Sequence, residues 1–190
     1  MVVIGVVSGS AEGRIEKAVK KIFSVDGMRT VILESGKIAQ EEIQNLGAAG
    51  VGYIIITLKK GEIRPVYLDI LILESIADIS YELVKCVSAK TRLIYNADSM
   101  PLVKFKHPNA ISYGMSYTAE ATISSVDDKF DGVSFVYCLQ RSVTSLGGNI
   151  LYEGEFTVSF SNIKSGITDI LAAITCGMIC DIPEFVTIKI

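Results

Sequence analysis

The stretch V-V-I-G-V-V-S-G-S-A-E-G-R-I, residues 2–15, decides the fold that we predict for this chain. A short apolar strand, Val2–Val7, runs into a turn of glycine and small polar residues, and a segment with helical periodicity follows directly. Backbone amides in such a turn, together with the positive end of the helix dipole, can hold an anion. The pattern therefore predicts a phosphate-binding loop.

The residues that follow this turn differ from those that nucleotide chemistry requires. A nucleotide loop supplies a lysine for the phosphates and then a serine or threonine for Mg²⁺, whereas Gly13 is followed by Arg14 and Ile15. Glu12 beside the turn would repel phosphate. Two readings stay open: an anion cradle, or a tight turn that binds nothing and leaves Arg14 solvated. The candidate phosphate-binding residues are Ser8, Gly9, Ser10, Gly13 and Arg14.

The composition indicates one globular domain and excludes several function classes. The chain has 190 residues, 49% of them apolar, with a net charge of −3 and scattered lysine and arginine. No apolar run reaches the ~18–20 residues that span a bilayer, and the first residues lack the pattern of a signal peptide. We therefore expect a cytoplasmic protein that binds neither membranes nor nucleic acid.

Cysteine and histidine offer little catalytic equipment. Cys176 and Cys180 are four residues apart on a predicted helix and would share one face. They could be part of a metal or redox site, or small buried hydrophobes, and we expect these two cysteines to be reduced and structural. His107 is the single histidine, so a catalytic dyad or triad has no second candidate. The sequence identifies no catalytic residue and no metal ligand set.

Residues 1–100 alternate predicted strands and helices. The runs Val51–Leu58 and Leu68–Leu73 are continuously apolar, which is typical of strands buried on both faces in a parallel sheet. This part therefore predicts an α/β fold, with a mostly parallel sheet flanked by helices. Strands are predicted at 2–7, 30–33, 51–58, 68–73 and 92–95, and helices at 13–25, 37–49 and 77–88.

Residues 101–190 have a different pattern. Apolar and polar residues alternate between turn signals such as Asp131-Gly132, which predicts an antiparallel β section packed on one face. One strongly apolar helix follows at 166–180, and the chain finishes with the strand-like residues 185–190. The antiparallel strands are predicted at 111–114, 119–126, 133–139 and 151–160.

This order of elements resembles the central, ATP-binding domain of the Mur ligases. Within that family, it most resembles the UDP-N-acetylmuramyl-tripeptide synthetase branch. Residues 2–15 look like the family's strand followed by T-G-T-N-G-K-T-T. Residues 95–99, Y-N-A-D-S, resemble its I-N-A-D-D, and residues 156–174 resemble its last strand and helix. The resemblance covers nearly all 190 residues and implies one central domain with a P-loop-like fold.

The resemblance also implies a chemistry and a set of ligands. Family members join an acid to an amino acid with ATP and Mg²⁺ in peptidoglycan biosynthesis, so a nucleotide or a UDP-linked precursor would be the ligand. By position, the residues near the nucleotide would be Asn96, Asp98 and Asp169.

The sequence departs from the family at the active site. The phosphate lysine is replaced by Gly13 or Arg14, and the Mg²⁺ hydroxyl by Arg14 or Ile15. The Mg²⁺-binding glutamate position falls at or near Thr57, and residues 74–78, E-S-I-A-D, lack the family's histidine. There, Glu74 or Asp78 could bind a metal, or Ser75 or Asp78 could cap a helix. The family's UDP-sugar and C-terminal ligase domains have no counterpart in these residues.

Two functions remain open, and a third is a weaker alternative. The first is a catalytically inactive Mur-ligase-like protein that serves as a binding or regulatory module, with a protein partner or a second copy of itself. The second is an ATP-binding domain of an amide-forming ligase that is active only with partner chains. The third is a small-molecule binder that no longer uses nucleotide. The lost lysine and Mg²⁺ ligands favour the first.

Overall fold

Strands and helices alternate along the chain in the computed structural model, which describes residues 1–8, 12–75, 79–100, 107–129, 132–161 and 166–182. The helices of these residues are α1 (Arg14–Phe23), α2 (Gln40–Ala48), α3 (Tyr81–Lys85) and α4 (Ile167–Ile179). The strands are β1 (Val2–Val7), β2 (Arg29–Glu34), β3 (Val51–Thr57), β4 (Ile70–Leu73), β5 (Arg92–Asn96), β6 (Ala110–Tyr113), β7 (Ala121–Lys129), β8 (Gly132–Leu139), β9 (Val143–Thr144), β10 (Ile150–Leu151) and β11 (Gly154–Ser161).

Nine strands form one sheet in the order β11-β8-β7-β6-β5-β4-β1-β3-β2. The strands from β2 to β6 are parallel, whereas β7, β8 and β11 pair in antiparallel fashion. The two sections join through one parallel pair, Tyr113 with Ala121. β9 and β10 form a separate antiparallel hairpin. The predicted α/β fold, with an antiparallel section in the C-terminal half, is confirmed.

Helices cover both faces of the parallel section because its strands are apolar on both sides. α1 and α4 lie on one face, and α1 buries the stripe that its periodicity predicts, from Ile15 to Phe23. α2 and α3 lie on the other face, where Ile43 and Leu83 are buried. Every residue of α4 from Asp169 to Ile179 is buried, so this helix is central to the core.

The structure differs from the sequence prediction at α3. The helix begins at Tyr81, not at residue 77, and ends at Lys85. Ser80 is its N-cap, since the Leu83 amide donates to the Ser80 hydroxyl at 3.2 Å. Ser75 therefore does not cap α3, while Asp78 lies outside the described residues, as does the predicted strand at 185–190. The hairpin β9–β10 was not predicted, because two residues per strand carry no periodic signal.

All four cysteines are free thiols. Of the two that are predicted to be small buried hydrophobes, Cys176 is buried and Cys180 is partly buried. Burial, with the neighbouring Cys180 thiol, raises the pKa of Cys176. Within the described ranges, no helix has the length and apolar character that a membrane span needs.

Candidate functional site

The carboxyl ends of the parallel strands bring the candidate residues to one edge of the sheet. Ser8 follows β1, Thr57 ends β3, Glu74 follows β4 and Asn96 ends β5. The strand order switches sides at β1, because β2 and β3 lie on one side of it and β4 and β5 lie on the other. Ligands of open α/β sheets bind at such a point. We call this region the carboxyl edge.

The turn between β1 and α1 is only partly described. Ser8 is partly buried, while Gly9 and Ser10 lie outside the described residues. Gly13 is the N-cap of α1 and has left-handed angles, φ 59° and ψ 44°. Glycine adopts this region at little cost, so the backbone explains Gly13 whether or not the turn meets a ligand.

Arg14 contacts a carboxylate of the last helix. Its Nε atom lies 3.1 Å from Asp169 Oδ2, with the Asp169 side chain 5% exposed and the Arg14 side chain 41% exposed. The same carboxylate oxygen accepts a hydrogen bond from the Gly166 amide at 2.9 Å, which caps α4. The Arg14 side chain is thus only partly solvated. Its ion pair with Asp169 would compete with a phosphate for the guanidinium.

The pKa of Asp169 is raised above its usual range. Burial is the main cause, and the negative charge of Glu74 adds to it, while the Gly166 amide and Arg14 oppose the rise. The ion pair with Arg14 therefore offsets only part of the cost of burying this carboxylate.

Glu16 lies in the first turn of α1 and is 1% exposed. Its Oε1 atom accepts a hydrogen bond of 2.8 Å from the Thr57 hydroxyl at the end of β3. Its Oε2 atom is buried and has no hydrogen-bond partner among the described residues. Sequence reasoning missed Glu16, although its place within the buried stripe of α1 was a signal.

Asn96 and Asp98 stabilise the loops at this edge. The Asn96 side-chain oxygen accepts from the Asp98 amide at 2.9 Å and from the Ser99 amide at 3.3 Å. The Asp98 carboxylate accepts from the Met115 amide at 2.7 Å and the Ser116 amide at 2.9 Å. The N-A-D sequence therefore has a structural explanation that needs no nucleotide.

The carboxyl edge is acidic where these elements meet. Tyr113 ends β6 and is buried, which raises its pKa, and the charges of Glu74, Asp169 and Asp98 raise it further. At the end of β2, Glu34 pairs with Lys59 at 3.5 Å. Arg14 and Lys59 each contact a carboxylate, so both positive charges are at least partly neutralised.

Among the described residues, the position that the family resemblance assigns to the Mg²⁺ hydroxyl does not offer a metal ligand. Ile15, at the position of the metal hydroxyl, is a core residue with 1% exposure. No group of three or more acidic, histidine or cysteine side chains within the described ranges is placed to hold a metal. His107, at the other end of β6, contacts the Ser88 carbonyl at 3.0 Å, which is a loop contact.

Comparison with known proteins gives a result only at the level of structure. No protein-family model matches the chain, and no curated protein matches it in sequence. A UDP-N-acetylmuramoyl-L-alanyl-D-glutamate–2,6-diaminopimelate ligase superimposes on 95% of the chain with a TM-score of 0.57 at 13% identity. The chain therefore has a Mur-ligase-like fold.

Two further solved structures agree with this fold. The MurF ligase of Thermotoga maritima, in complex with ADP, covers 93% of the chain with a TM-score of 0.56 at 14% identity. An FPGS–AMPPCP–folate complex covers 94% with a TM-score of 0.57 at 9% identity. The chain spans 43% of the diaminopimelate ligase, 45% of the MurF ligase and 58% of the FPGS chain.

Proposed function

We propose that this chain is a Mur-ligase-like binding or regulatory module that does not catalyse ATP-dependent amide formation. In this proposal the chain corresponds to the ATP-binding central domain of the ligases. It has the fold of that domain but lacks the residues that the reaction needs. The proposal rests on the contents of the carboxyl edge rather than on the fold, since one fold serves many functions.

The pair Arg14–Asp169 is the observation that carries the proposal. Phosphoryl transfer depends on positioned cations around the transferred phosphate. Here Arg14, the first residue of α1, contacts a buried carboxylate at 3.1 Å. A phosphate that displaced Asp169 from Arg14 would leave this largely buried carboxylate without the cation that offsets part of its desolvation, which costs free energy.

Glu16 adds a second obstacle to a bound triphosphate. Its buried carboxylate lies in the same helical turn that would face the phosphates, and Thr57 takes only one of its oxygens. Two like charges about 4 Å apart repel by about 4 kcal/mol near a protein surface. Nucleotide binding of the kind used by ATP-dependent ligases is therefore disfavoured on electrostatic grounds.

The alternative is an ATP-binding domain that is completed by partner chains. Its support is that two of the similar structures hold ADP or AMPPCP, and that this chain spans only part of each. The two functions differ in whether a nucleotide binds, and this difference is measurable.

A thermal-shift titration tests the proposal. The wild-type chain is titrated with Mg²⁺-ATP, ADP and UDP-linked peptidoglycan precursors, beside an active Mur ligase as the positive control. A ligand at a hundredfold excess over its Kd stabilises the native state by about 2.7 kcal/mol. We expect no shift with ATP or ADP at millimolar concentration, whereas a clear shift with either would favour the alternative.

The Asp169→Asn variant sharpens this experiment. The substitution removes one negative charge and keeps an oxygen that can accept from the Gly166 amide. If Asp169 holds Arg14 away from phosphate, the variant should gain nucleotide affinity relative to wild type. Equal behaviour of both proteins would show that the pair does not control phosphate binding. Light scattering of the purified chain then tests for a second copy as partner.

A further inference from the structure

A pocket lies at the edge of the sheet opposite to the carboxyl edge, where β5 and β6 begin. The C-terminal end of α4 and the start of hairpin β9–β10 close it. It is therefore separate from the carboxyl edge, where α4 begins. Both charged and apolar side chains line it, including Arg92, Asn109, Ile111, Arg141, Thr144 and Ile179.

Arg92 is fixed in this pocket by neutral partners. One terminal nitrogen of its guanidinium donates to the Asn109 side-chain oxygen, and the other donates to the Ser145 carbonyl at 3.0 Å. Its Nε atom is buried and has no hydrogen-bond partner in the part of the chain that the structure describes. A guanidinium that is held in place and only partly satisfied is pre-organised for an anion.

The carboxylates around the pocket are already engaged. Asp181, after α4, accepts from the Gly147 amide and the Asn149 side chain, each at 2.9 Å. The pKa of Asp181, which is partly buried, is lowered because hydrogen bonds from Ser145, Asn149 and Gly147 outweigh the desolvation. No described carboxylate forms an ion pair with Arg92, so this positive charge lacks a counter-charge within the described residues.

Arg141 provides a second guanidinium on the pocket wall. It pairs with Glu120 through Nε and donates to the Ala110 carbonyl through a terminal nitrogen. Glu120 also accepts from the Ser112 amide at 2.8 Å. Arg92 and Arg141 are the charged side chains among the described residues that line the pocket, and Glu120 pairs with Arg141.

The carbonyl groups at the end of α4 do not supply the missing counter-charge in full. The Ile179 carbonyl accepts from the Leu146 amide at 2.8 Å, and the Cys176, Gly177 and Met178 carbonyls accept from amides that follow the helix. The partial negative charge of a helix terminus corresponds to about half an elementary charge. A full positive charge on Arg92 therefore exceeds it.

We propose that this pocket binds a small oxyanion, the carboxylate or phosphate group of a small molecule, through Arg92 and Arg141. The planar guanidinium fork matches both groups, and it forms shorter and stronger hydrogen bonds to them than to neutral oxygens. The apolar walls from Ile111 and Ile179 would contact the body of the ligand. This inference is independent of the proposed function because it uses other residues at the other edge.

Calorimetric titration with inorganic phosphate and with propionate tests the proposal, at constant ionic strength set by chloride. We expect saturable binding of at least one probe to the wild-type chain. Arg92→Gln should weaken it by about tenfold or more, the loss expected for one charge-assisted contact. Arg29→Gln, which changes an exposed arginine at the start of β2, is the matched control and should leave binding unchanged.

A second variant keeps the test decisive if Arg92→Gln fails to fold. Arg141→Gln changes an exposed side chain of the same wall and should also weaken the binding of the probe. The Nε–H signals of the arginines in a ¹⁵N-correlated NMR spectrum give an independent readout, in which Arg92 should shift on addition of the probe. Binding of phosphate alone or of propionate alone assigns the ligand class. Absence of binding by both, or binding unchanged in both variants, overturns the proposal.

Discussion

The Thr57 hydroxyl donates a hydrogen bond of 2.8 Å to Oε1 of Glu16 and so ties the end of β3 to the first turn of α1. The sequence resemblance predicts that the family's Mg²⁺-binding glutamate would fall at or near Thr57. Here the carboxylate is on the helix and the hydroxyl is on the strand. The Thr57 hydroxyl satisfies one of the two Glu16 carboxylate oxygens. This contact stabilises the region where a nucleotide would be expected.

Loss of the Thr57 hydroxyl should destabilise the chain. Thr57→Val keeps the shape of the side chain but leaves the buried Glu16 carboxylate without its donor. We expect the free energy of unfolding to fall by about 1–3 kcal/mol, the usual cost of an unsatisfied buried acceptor. Urea unfolding monitored by circular dichroism measures it. Thr57→Ser, which retains the hydroxyl, is the control and should lose much less.

Asp169 should make stability depend on pH in a defined direction. Its pKa is raised in the folded chain, so the native state holds this proton more tightly than the unfolded state does. The stabilising contribution is present below the usual value of 3.8 and is lost as the pH rises through the folded pKa. Wild type should therefore lose stability relative to Asp169→Asn as the pH rises from 3.8 toward neutrality.

Urea unfolding of both proteins at a series of pH values tests this expectation. The Arg14→Gln variant adds a check, because without the arginine the carboxylate loses one of the groups that oppose the rise of its pKa. The pH-dependent difference should then become larger. A difference that stays constant over the whole range would contradict the assignment.

Asp98 and Gly114 should behave as one structural unit. A Cβ atom on Gly114 would lie 2.7 Å from Asp98 Oδ1, so Gly114→Ala should push away the carboxylate that holds the Met115 and Ser116 amides. Asp98→Ala alone should cost about 1–3 kcal/mol through the loss of charge-assisted hydrogen bonds. The double variant should cost less than the sum of the two single variants. A double-mutant cycle from urea unfolding measures the coupling, and strict additivity would refute it.

Buried tyrosines should limit stability at alkaline pH. Burial raises the pKa of Tyr113 and of Tyr137, although for Tyr137 the Thr175 hydroxyl opposes the rise. Above pH 10 the unfolded state loses these protons first. Each tyrosine should then lower stability by up to about 1.4 kcal/mol per pH unit.

The Tyr113→Phe variant should have a smaller alkaline slope than wild type, since it keeps the ring and removes the proton. Unfolding curves between pH 9 and 11 measure this slope, a range chosen about the ordinary tyrosine value. Tyr117→Phe changes a tyrosine that is 86% exposed and serves as the matched control. Equal slopes in the two variants would contradict the prediction.

The local sequence was sufficient for most of the fold. β1, β3 and β4 are continuous apolar runs, and the stripe of α1 repeats with helical spacing, so each is visible in a short window. α3 was misplaced because its cap at Ser80 competes with other polar residues upstream. The hairpin β9–β10 is too short to show a period.

The candidate site was less predictable because its decisive contacts join distant parts of the chain. The turn before α1 and the N-A-D segment were recognised, but the role of Asp98 in holding Met115 and Ser116 depends on the packing of β5 against β6. The pair of Arg14 with Asp169 depends on α4 docking against α1. Neither contact leaves a pattern in the sequence around one residue.

The position of α4 has a consequence for the folding of the chain during its synthesis on the ribosome. This buried helix is made after all strands of the nine-stranded sheet, yet it covers the same face as α1, which is made at the beginning. Until residues 167–179 emerge, β4, β5 and β6 lack the contacts that α4 makes with them, and a nascent chain that exposes apolar surface is prone to aggregate. The parallel half therefore has to wait for the C-terminal half before its core can close, and chaperones that bind apolar nascent segments would act during that interval.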